Sequence, residues 1–217
     1  MSRQTRFILI LACSLLVAVP VKAQFFEGYG IRGGGNESNF TGYLGVLEST
    51  RSFHVAAFAE FSRSEVFSFQ VELEYARRGY SMVQELTDAS GQSLGTVRGI
   101  YGLDYLSIPV LVRLRYSGRS KVIPYVMAGP RLDILMSSRP GVWKYPSGTW
   151  EDKSMLDVFA GPGLSGSVVL GIAFEQVIME ELRVEVRYNF SITDLMPDVD
   201  DWTVRRKELD ISVAVVL

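Results

Sequence analysis

The sequence of 217 residues contains only one cysteine and one histidine. Cys13 lies inside an N-terminal apolar run, so the rest of the chain can build neither a disulfide framework nor a thiolate metal site. Cys13 resembles the lipidated residue of a lipoprotein processing box, but the apolar run continues past it, which argues against lipidation. Because His54 is the sole histidine, a multi-histidine metal site is excluded and a catalytic triad would depend on that residue.

Long apolar segments and helical periodicity are also missing after the N-terminal run. No later segment has the roughly 20 consecutive apolar residues that a membrane-spanning helix needs. No segment longer than about ten residues has the 3.6-residue period of an amphipathic helix. If this chain crosses a membrane, it therefore does so as a closed barrel, because an open sheet would leave edge hydrogen bonds unpaired in lipid.

The N-terminus has the pattern of a secretory signal peptide. Two arginines precede an apolar run from Phe7 to Val19, and Val21 and Ala23 suit the positions before a signal-peptidase site. We expect cleavage after Ala23, with residues 1–23 as signal peptide and residues 24–217 as one mature domain. Cleavage removes three of the 22 basic residues and none of the 24 acidic ones, leaving 19 basic residues and a net charge of −5. A mildly acidic exported chain without a basic patch is not expected to bind nucleic acid.

Alternation of apolar and polar residues recurs along the mature chain and predicts β-strands. From Leu182 to Tyr188, one face is Leu, Val, Val, Tyr and the other is Arg183, Glu185 and Arg187. Such a strand buries its apolar face in a soluble protein, whereas in a membrane barrel the apolar face meets lipid and the charges line the interior. The pattern predicts eight strands, at about 25–33, 53–61, 67–75, 106–116, 125–134, 168–175, 182–188 and 209–217.

The connections between these strands alternate in length. Three are short, at about 62–65, 117–121 and 176–181, and four are long, at about 34–52, 77–100, 137–154 and 194–207. This rhythm is typical of an up-and-down outer-membrane barrel, with short turns at the periplasmic end and long loops outside. A Greek-key sandwich has no reason to keep it.

Aromatic residues gather at both ends of the apolar strand faces. Phe61, Phe67, Tyr116 and Phe174 lie beside short turns, and Phe53, Tyr75, Tyr188 and Phe190 lie towards long loops. Two such rings are typical of the interfacial girdles of a membrane barrel. The alternative is the ordinary preference of aromatic residues for strands.

Several segments resemble a known family of outer-membrane proteins. Residues 103–111, with Tyr105-Leu106-Ser107-Ile108-Pro109 at their centre, look like the fourth strand of the small barrel domains of Bacteroidota, the PorT-like or "porin family" group. Residues 69–75, 124–130 and 182–188 resemble other strands of that family. The resemblance implies an all-β, transmembrane antiparallel up-and-down barrel of eight strands, or alternatively ten, in the outer membrane of a Gram-negative bacterium. It implies nothing about activity.

The predicted interior contains charges of both signs. The residues expected there are Glu60, Glu72, Glu74, Arg113, Arg115, Arg131, Asp133, Glu175, Arg183, Glu185 and Arg187. An eight-stranded barrel has an interior just filled by side chains, so these charges are expected to pair and plug it. A gated path for small solutes and acid–base catalysis by paired carboxylates are the alternatives. His54 is expected on the same inward face as a hydrogen-bonded residue.

The predicted long loops carry four aromatic residues that are candidates for recognition: Trp143, Tyr145, Trp150 and Trp202. Exposed aromatic side chains on a rigid scaffold are plausible recognition surfaces. They could equally lie at the outer lipid interface or pack on one another.

Together these features predict an integral outer-membrane protein with a structural or surface-interaction role and no catalytic activity. A narrow porin-like channel, or a transport or secretion accessory, is the first alternative, and a membrane-embedded enzyme is the second. A soluble lipocalin-like binder is the competitor outside the membrane. We expect no cofactor or metal, contact with outer-membrane lipid, and a monomer; a surface or periplasmic protein partner is left open.

Overall fold

The computed structural model describes residues 26–41, 47–62, 64, 66–87, 90–116, 121–145, 148–151, 162–175, 181–194 and 204–217. The regular elements are β1 (Phe26–Thr41), β2 (Leu47–Ser62), β3 (Phe67–Thr87), β4 (Ser93–Arg115), β5 (Val122–Tyr145), β6 (Gly148–Glu151), β7 (Gly163–Glu175), β8 (Glu181–Ser191) and β9 (Arg205–Val216). None of these described residues form a helix long and apolar enough to cross a bilayer.

The sheet closes on itself, and its strand pairs are antiparallel. β1 pairs with both β2 and β9, and β4 pairs with β5, so that β1 to β5 and β7 to β9 form a continuous wall. Among the described strands, β6 pairs with β5 alone, at Val142 to Tyr145, and stands outside the closed wall. The prediction of an eight-stranded antiparallel barrel is confirmed, and the ten-stranded alternative is wrong.

The wall is apolar outside and charged inside, which inverts the arrangement of a soluble protein. On β8, Val184 and Val186 are 42% and 44% exposed, whereas Arg183 and Arg187 are 1% and 0% exposed. The same alternation runs through β9, where Leu209, Ile211 and Val213 point outward. An apolar outer face beside a charged inner face is the arrangement expected when lipid surrounds the barrel.

Two rings of aromatic side chains bound the apolar outer face. The outer girdle consists of Phe53, Tyr75, Tyr188 and Phe190, and the inner girdle of Phe26, Phe61, Phe67, Phe69, Tyr116 and Phe174. Neighbouring rings touch: the centroids of Phe53 and Tyr75 are 6.2 Å apart, and those of Phe26 and Phe61 are 5.9 Å apart. The inner girdle lies at the end with the β2–β3, β4–β5 and β7–β8 connections, which we call the short-turn end.

Three of the four predicted long loops, at 34–52, 77–100 and 137–154, are mostly strand, so this part of the prediction is wrong, and most of the fourth lies outside the described residues. β1 and β2 continue as a hairpin to Thr41 and from Leu47, and β3 and β4 continue to Thr87 and from Ser93. β5 extends to Tyr145 and turns back into β6. These extensions beyond the outer girdle are the outer hairpins, and they mark the hairpin end of the barrel. By the usual orientation of bacterial barrels, this end faces the cell exterior.

Candidate functional site

The interior contains the predicted charges. Nine of the eleven predicted residues are buried there, and the other two, Arg115 and Glu175, are half-buried at the short-turn rim. Arg115 Nη2 lies 3.4 Å from Glu175 Oε1. The buried charges lie at successive heights in the barrel and form three clusters.

The lower cluster, nearest the short-turn end, consists of Glu60, Arg113, Glu181 and Arg183. Arg183 donates through Nη1 and Nη2 to the two carboxylate oxygens of Glu60, at 2.6 and 2.8 Å. Arg113 Nη1 lies 3.0 Å from Glu60 Oε1, and Arg183 also contacts Glu181. A bidentate arginine–carboxylate pair of this kind is strong and fixes both side chains.

The middle cluster consists of Arg32, His54, Glu72, Glu185 and Arg187. Arg187 donates to both oxygens of Glu72 at 2.9 and 2.7 Å, and Arg32 Nη2 donates to Glu72 Oε2 at 2.9 Å. Arg32 Nη1 lies 3.0 Å from His54 Nε2. Because an arginine has no acceptor, Nε2 of His54 accepts this bond and Nδ1 carries the ring proton. This hydrogen bond engages the ring nitrogen that a triad histidine would offer to a serine hydroxyl, which agrees with the structural role expected for His54.

The upper cluster, nearest the hairpin end, consists of Glu74, Arg78, Arg131, Asp133, Arg206 and Glu208. Asp133 accepts hydrogen bonds from Arg131 Nε at 2.8 Å and from Arg206 Nη2 at 2.5 Å. The hydroxyls of Ser107 and Ser165 donate to the same carboxylate at 2.5 and 2.6 Å. Arg78 Nε donates to Glu208 at 2.6 Å, which ties β3 to β9 across the interior.

Asp210 differs from the carboxylates of the three clusters. It is 0% exposed and accepts one hydrogen bond, from Asn189 Nδ2 at 2.8 Å. Its Oδ1 has no hydrogen-bond partner among the described residues, and no basic side chain of that set lies within ion-pair distance of it. Asn36, its register partner on β1, has an unpartnered Oδ1 as well.

Apolar side chains cover the charged clusters towards the hairpin end. Phe40, Tyr80, Val97, Tyr101, Leu103, Tyr105 and Val204 form this outer cap. The rings of Tyr80 and Tyr101 stack at 4.9 Å. The guanidinium groups of Arg78 and Arg206 each lie 4.9 Å from the centroid of the Tyr105 ring, which joins the outer cap to the upper cluster.

A second apolar group fills the interior beside the lower cluster. It consists of Leu111, Ile123, Tyr125, Met127, Val169 and Ala173, from β4, β5 and β7. Tyr125 donates its hydroxyl hydrogen to Glu185 Oε1 at 2.8 Å, so it bridges this group and the middle cluster. The interior is therefore filled by ion pairs on one side and by packed apolar side chains on the other.

Seven interior charges were not predicted. Six of them are buried: Arg32, Arg78, Glu181, Arg206, Glu208 and Asp210. The seventh, Glu27, lies at the short-turn rim, where its Oε2 is 3.8 Å from Arg113 Nη2. Arg32 lies in a glycine-rich strand whose outward face has few apolar side chains to mark the alternation. Arg78 and Arg206 lie in segments predicted as loops. Asp210 could have been predicted, because it alternates with the outward residues Leu209 and Ile211 in the last predicted strand and therefore faces the interior.

Three of the four candidate recognition aromatics lie in a hairpin instead of a loop. Trp143 and Tyr145 belong to β5 and Trp150 to β6, and the backbone register pairs Trp143 with Trp150. The side chains of these three residues, and the whole of Trp202, lie outside the described part of the structure. Tyr80, another residue of the predicted loops, is 4% exposed and belongs to the outer cap.

The chemistry of the interior is that of structural ion pairs. Each clustered carboxylate lies within ion-pair distance of at least one arginine, and all but Glu185 accept a hydrogen bond from one. Among the described residues, no group of three or more His, Cys, Asp or Glu side chains is arranged to hold a metal ion. The apolar outer face, the two girdles and the ion-paired interior together define an integral membrane β-barrel.

Comparison with known proteins assigns the family. Residues 23–196 match the model of the outer membrane protein beta-barrel domain, so the chain belongs to that family and is an outer-membrane barrel. No curated protein sequence matches it significantly.

Similar solved structures include three outer-membrane proteins. Neisserial surface protein A is 16% identical, with 88% of this chain and 99% of that chain covered and a TM-score of 0.48. The attachment invasion locus protein Ail of Yersinia pestis is 13% identical, with 87% and 99% covered and a TM-score of 0.41. OprG of Pseudomonas aeruginosa is 9% identical, with 89% and 97% covered and a TM-score of 0.46.

Proposed function

We propose that this protein is a sealed outer-membrane barrel whose role is to hold the outer hairpins rigidly at the cell surface for interaction with a protein partner. The observation that carries the proposal is the filled interior, in which arginines and carboxylates pair at three heights beneath the outer cap. A barrel of eight strands leaves room for side chains and little else. Paired side chains therefore fill the interior and make the barrel rigid, and they leave no room for a water-filled path.

The outer hairpins support an interaction role because they are long and well anchored. β3 and β4 remain paired from Phe67–Leu114 at the short-turn end to Thr87–Ser93 at the tip. Their inward side chains Tyr80 and Tyr101 pack into the outer cap. Binding surfaces on rigid elements lose little conformational entropy on association.

The test is cross-linking on intact cells with a shortened hairpin. Deleting residues 85–96 and joining Gln84 to Val97 through a two-residue turn removes the tip of the β3–β4 hairpin between residues that pair in the sheet and keeps Val97 of the outer cap. We expect this variant to fold and to lose the cross-linked partner. Shortening the β2–β3 connection at the opposite end is the matched control and should leave the cross-link intact. A cross-link that survives in the hairpin variant, or that neither protein forms, contradicts the proposal.

Further proposals concern export, relationship and assembly. We propose cleavage after Ala23, supported by the basic start and apolar run of residues 1–23, and N-terminal sequencing of the purified protein should begin at Gln24.

The strand of residues 103–111 supports a place in the PorT-like group of Bacteroidota. We also propose that the protein is not an enzyme, because the clustered interior carboxylates are engaged by arginines. We propose that it is a monomer, because the closed wall of β1 to β5 and β7 to β9 leaves no strand edge open for pairing with a second copy.

A further inference from the structure

Basic side chains surround the barrel just beyond the outer girdle. Arg51, Arg77, Arg139, Arg205 and Lys207 point outward at this level and form what we call the basic belt. The side chain of Arg51 is 86% exposed and that of Arg139 is 53% exposed. Between the two girdles, by contrast, the described strands present no charged side chain outward.

The strand register fixes the height of the basic belt relative to the bilayer. Three of its members lie two positions from an outward apolar residue of the same strand, on the side of the hairpin end: Arg51 beyond Phe53, Arg77 beyond Tyr75 and Lys207 beyond Leu209. Two residues of a strand span about 7 Å, and less along the membrane normal because barrel strands tilt. These three residues therefore lie at the level of lipid headgroups in the outer leaflet, and Arg139 and Arg205 lie further towards the hairpin end.

Acidic neighbours neutralise only part of the basic belt. Arg51 Nε lies 3.1 Å from Glu37 Oε2. Asp104 lies between two arginines, with Oδ1 3.0 Å from Arg77 Nε and Oδ2 3.5 Å from Arg139 Nε. Among the described residues, Arg205 and Lys207 have no acidic partner within ion-pair distance. Asp194 accepts a hydrogen bond from the backbone nitrogen of Val204, next to Arg205, so five cations stand against three described acids and leave two positive charges at this level of the described surface.

Glu37 and Asp104 are both charged at neutral pH. Hydrogen bonds from Ser49 and Arg51 lower the pKa of Glu37. Partial burial raises the pKa of Asp104, but hydrogen bonds from Arg77 and Tyr75 outweigh it and hold the pKa below its usual range. The excess of positive charge is therefore present under physiological conditions.

We propose that the basic belt binds the phosphate groups of lipid A, the anionic glycolipid anchor of lipopolysaccharide in the outer leaflet. The apolar band below the basic belt would contact the acyl chains of the same molecule, so the two surfaces are continuous. Lys207 is the strongest contributor, because no described acid lies within ion-pair distance of it, whereas Arg205 follows Val204, which is hydrogen-bonded to Asp194. Arginine and lysine at a lipid interface each add to the attraction of anionic headgroups while their apolar stems lie along the membrane surface.

The test measures lipid binding by native mass spectrometry of the folded barrel released from detergent micelles. Diphosphorylated lipid A, dephosphorylated lipid A and phosphatidylglycerol are added in turn. The belt variant carries Arg51→Gln, Arg205→Gln and Lys207→Gln, and the matched control carries Arg115→Gln and Lys121→Gln at the short-turn end. We expect the belt variant to bind diphosphorylated lipid A at least tenfold more weakly than the wild type, and the control variant to bind it normally.

Three outcomes would overturn the proposal. The first is equal binding of diphosphorylated lipid A by the belt and control variants, as would follow if acids of residues 195–203 neutralise the basic belt. The second is equal binding of the dephosphorylated lipid by the wild type. The third is tight binding of phosphatidylglycerol with the same dependence on the basic belt, which would indicate a general anionic surface. Heat-modifiable gel migration verifies folding, and a Lys207→Arg variant, which keeps the charge, should bind as the wild type does.

Discussion

At the scale of single residues, the buried carboxylates of Asp133 and Asp210 differ in their hydrogen-bond and ion-pair partners. Asp133 accepts hydrogen bonds from two arginines and two serines, so its charge is balanced and its lone pairs are used. Asp210 is equally buried, but among the described residues its one hydrogen-bond donor is the side-chain amide of Asn189. A buried charge without a counter-charge raises the free energy of the folded state by several kcal/mol. A buried charge that is paired destabilises the fold strongly only when its partner is removed.

This contrast predicts opposite effects of the same substitution at the two positions. Asp133→Asn leaves Arg131 and Arg206 without their shared counter-charge, so it should lower the free energy of unfolding by about 3–5 kcal/mol. Asp210→Asn removes a carboxylate that no described cation balances, so the change should stay within about 1 kcal/mol. Urea unfolding of the barrel in micelles, followed by intrinsic fluorescence, gives both values. Equal losses for the two variants would mean that Asp210 has an ionic partner.

At the scale of elements, β1 is sensitive to the size of its residues at specific positions. It contains the run Gly33-Gly34-Gly35, where it pairs with both β2 and β9. A Cβ atom added at Gly34 would lie 2.0 Å from the backbone oxygen of Ile211 and 2.7 Å from Cα of Ser212. At Gly33 and Gly35 the nearest atom to an added Cβ is an ordinary 3.7 Å away.

Alanine substitutions along this run should therefore differ by position. Gly34→Ala forces β1 away from β9 and should lower the free energy of unfolding by about 1–3 kcal/mol or more. Gly33→Ala is the matched control and should be neutral or stabilising by up to about 1 kcal/mol, because it reduces the flexibility of the unfolded chain. Unfolding midpoints of the two variants under the same conditions decide the matter, and a Gly33→Ala variant that is as unstable as Gly34→Ala would contradict this account of β1.

The elements also show how far the sequence could predict the fold. Hydrophobic alternation identifies a strand only where one face meets lipid and the other does not, which is why β8 was predicted almost residue by residue. Beyond the outer girdle that contrast ends, so the extensions of β3 and β4 were predicted as a loop of residues 77–100. The same limit concealed Arg78 and Arg206, which are two of the three arginines of the upper cluster.

At the scale of the whole molecule, the filled interior predicts that the wild-type barrel does not conduct ions. Arg187 and Glu72 span the middle of the interior through a bidentate pair, and the outer cap covers the path above them. In planar bilayers the wild type should show no single-channel steps. Glu72→Ala, which removes the carboxylate shared by the buried Arg32 and Arg187, should admit water and produce small conductance steps or instability, and Val186→Ala on the lipid face should remain silent. Regular steps from the wild type would refute a sealed barrel.

The seam between β1 and β9 makes folding of this barrel an all-or-none event. The Thr41 hydroxyl donates to the backbone oxygen of Arg205 across 164 residues of sequence, and such distant contacts form late because their loop closure is costly in entropy. β9 also supplies Arg206 and Glu208, without which Arg78 and Asp133 lose charged partners. Docking of β9 therefore closes the wall and balances the interior charge in the same step. A barrel stalled before that step would expose unpaired charges and open strand edges to lipid, so insertion and completion of the fold are coupled.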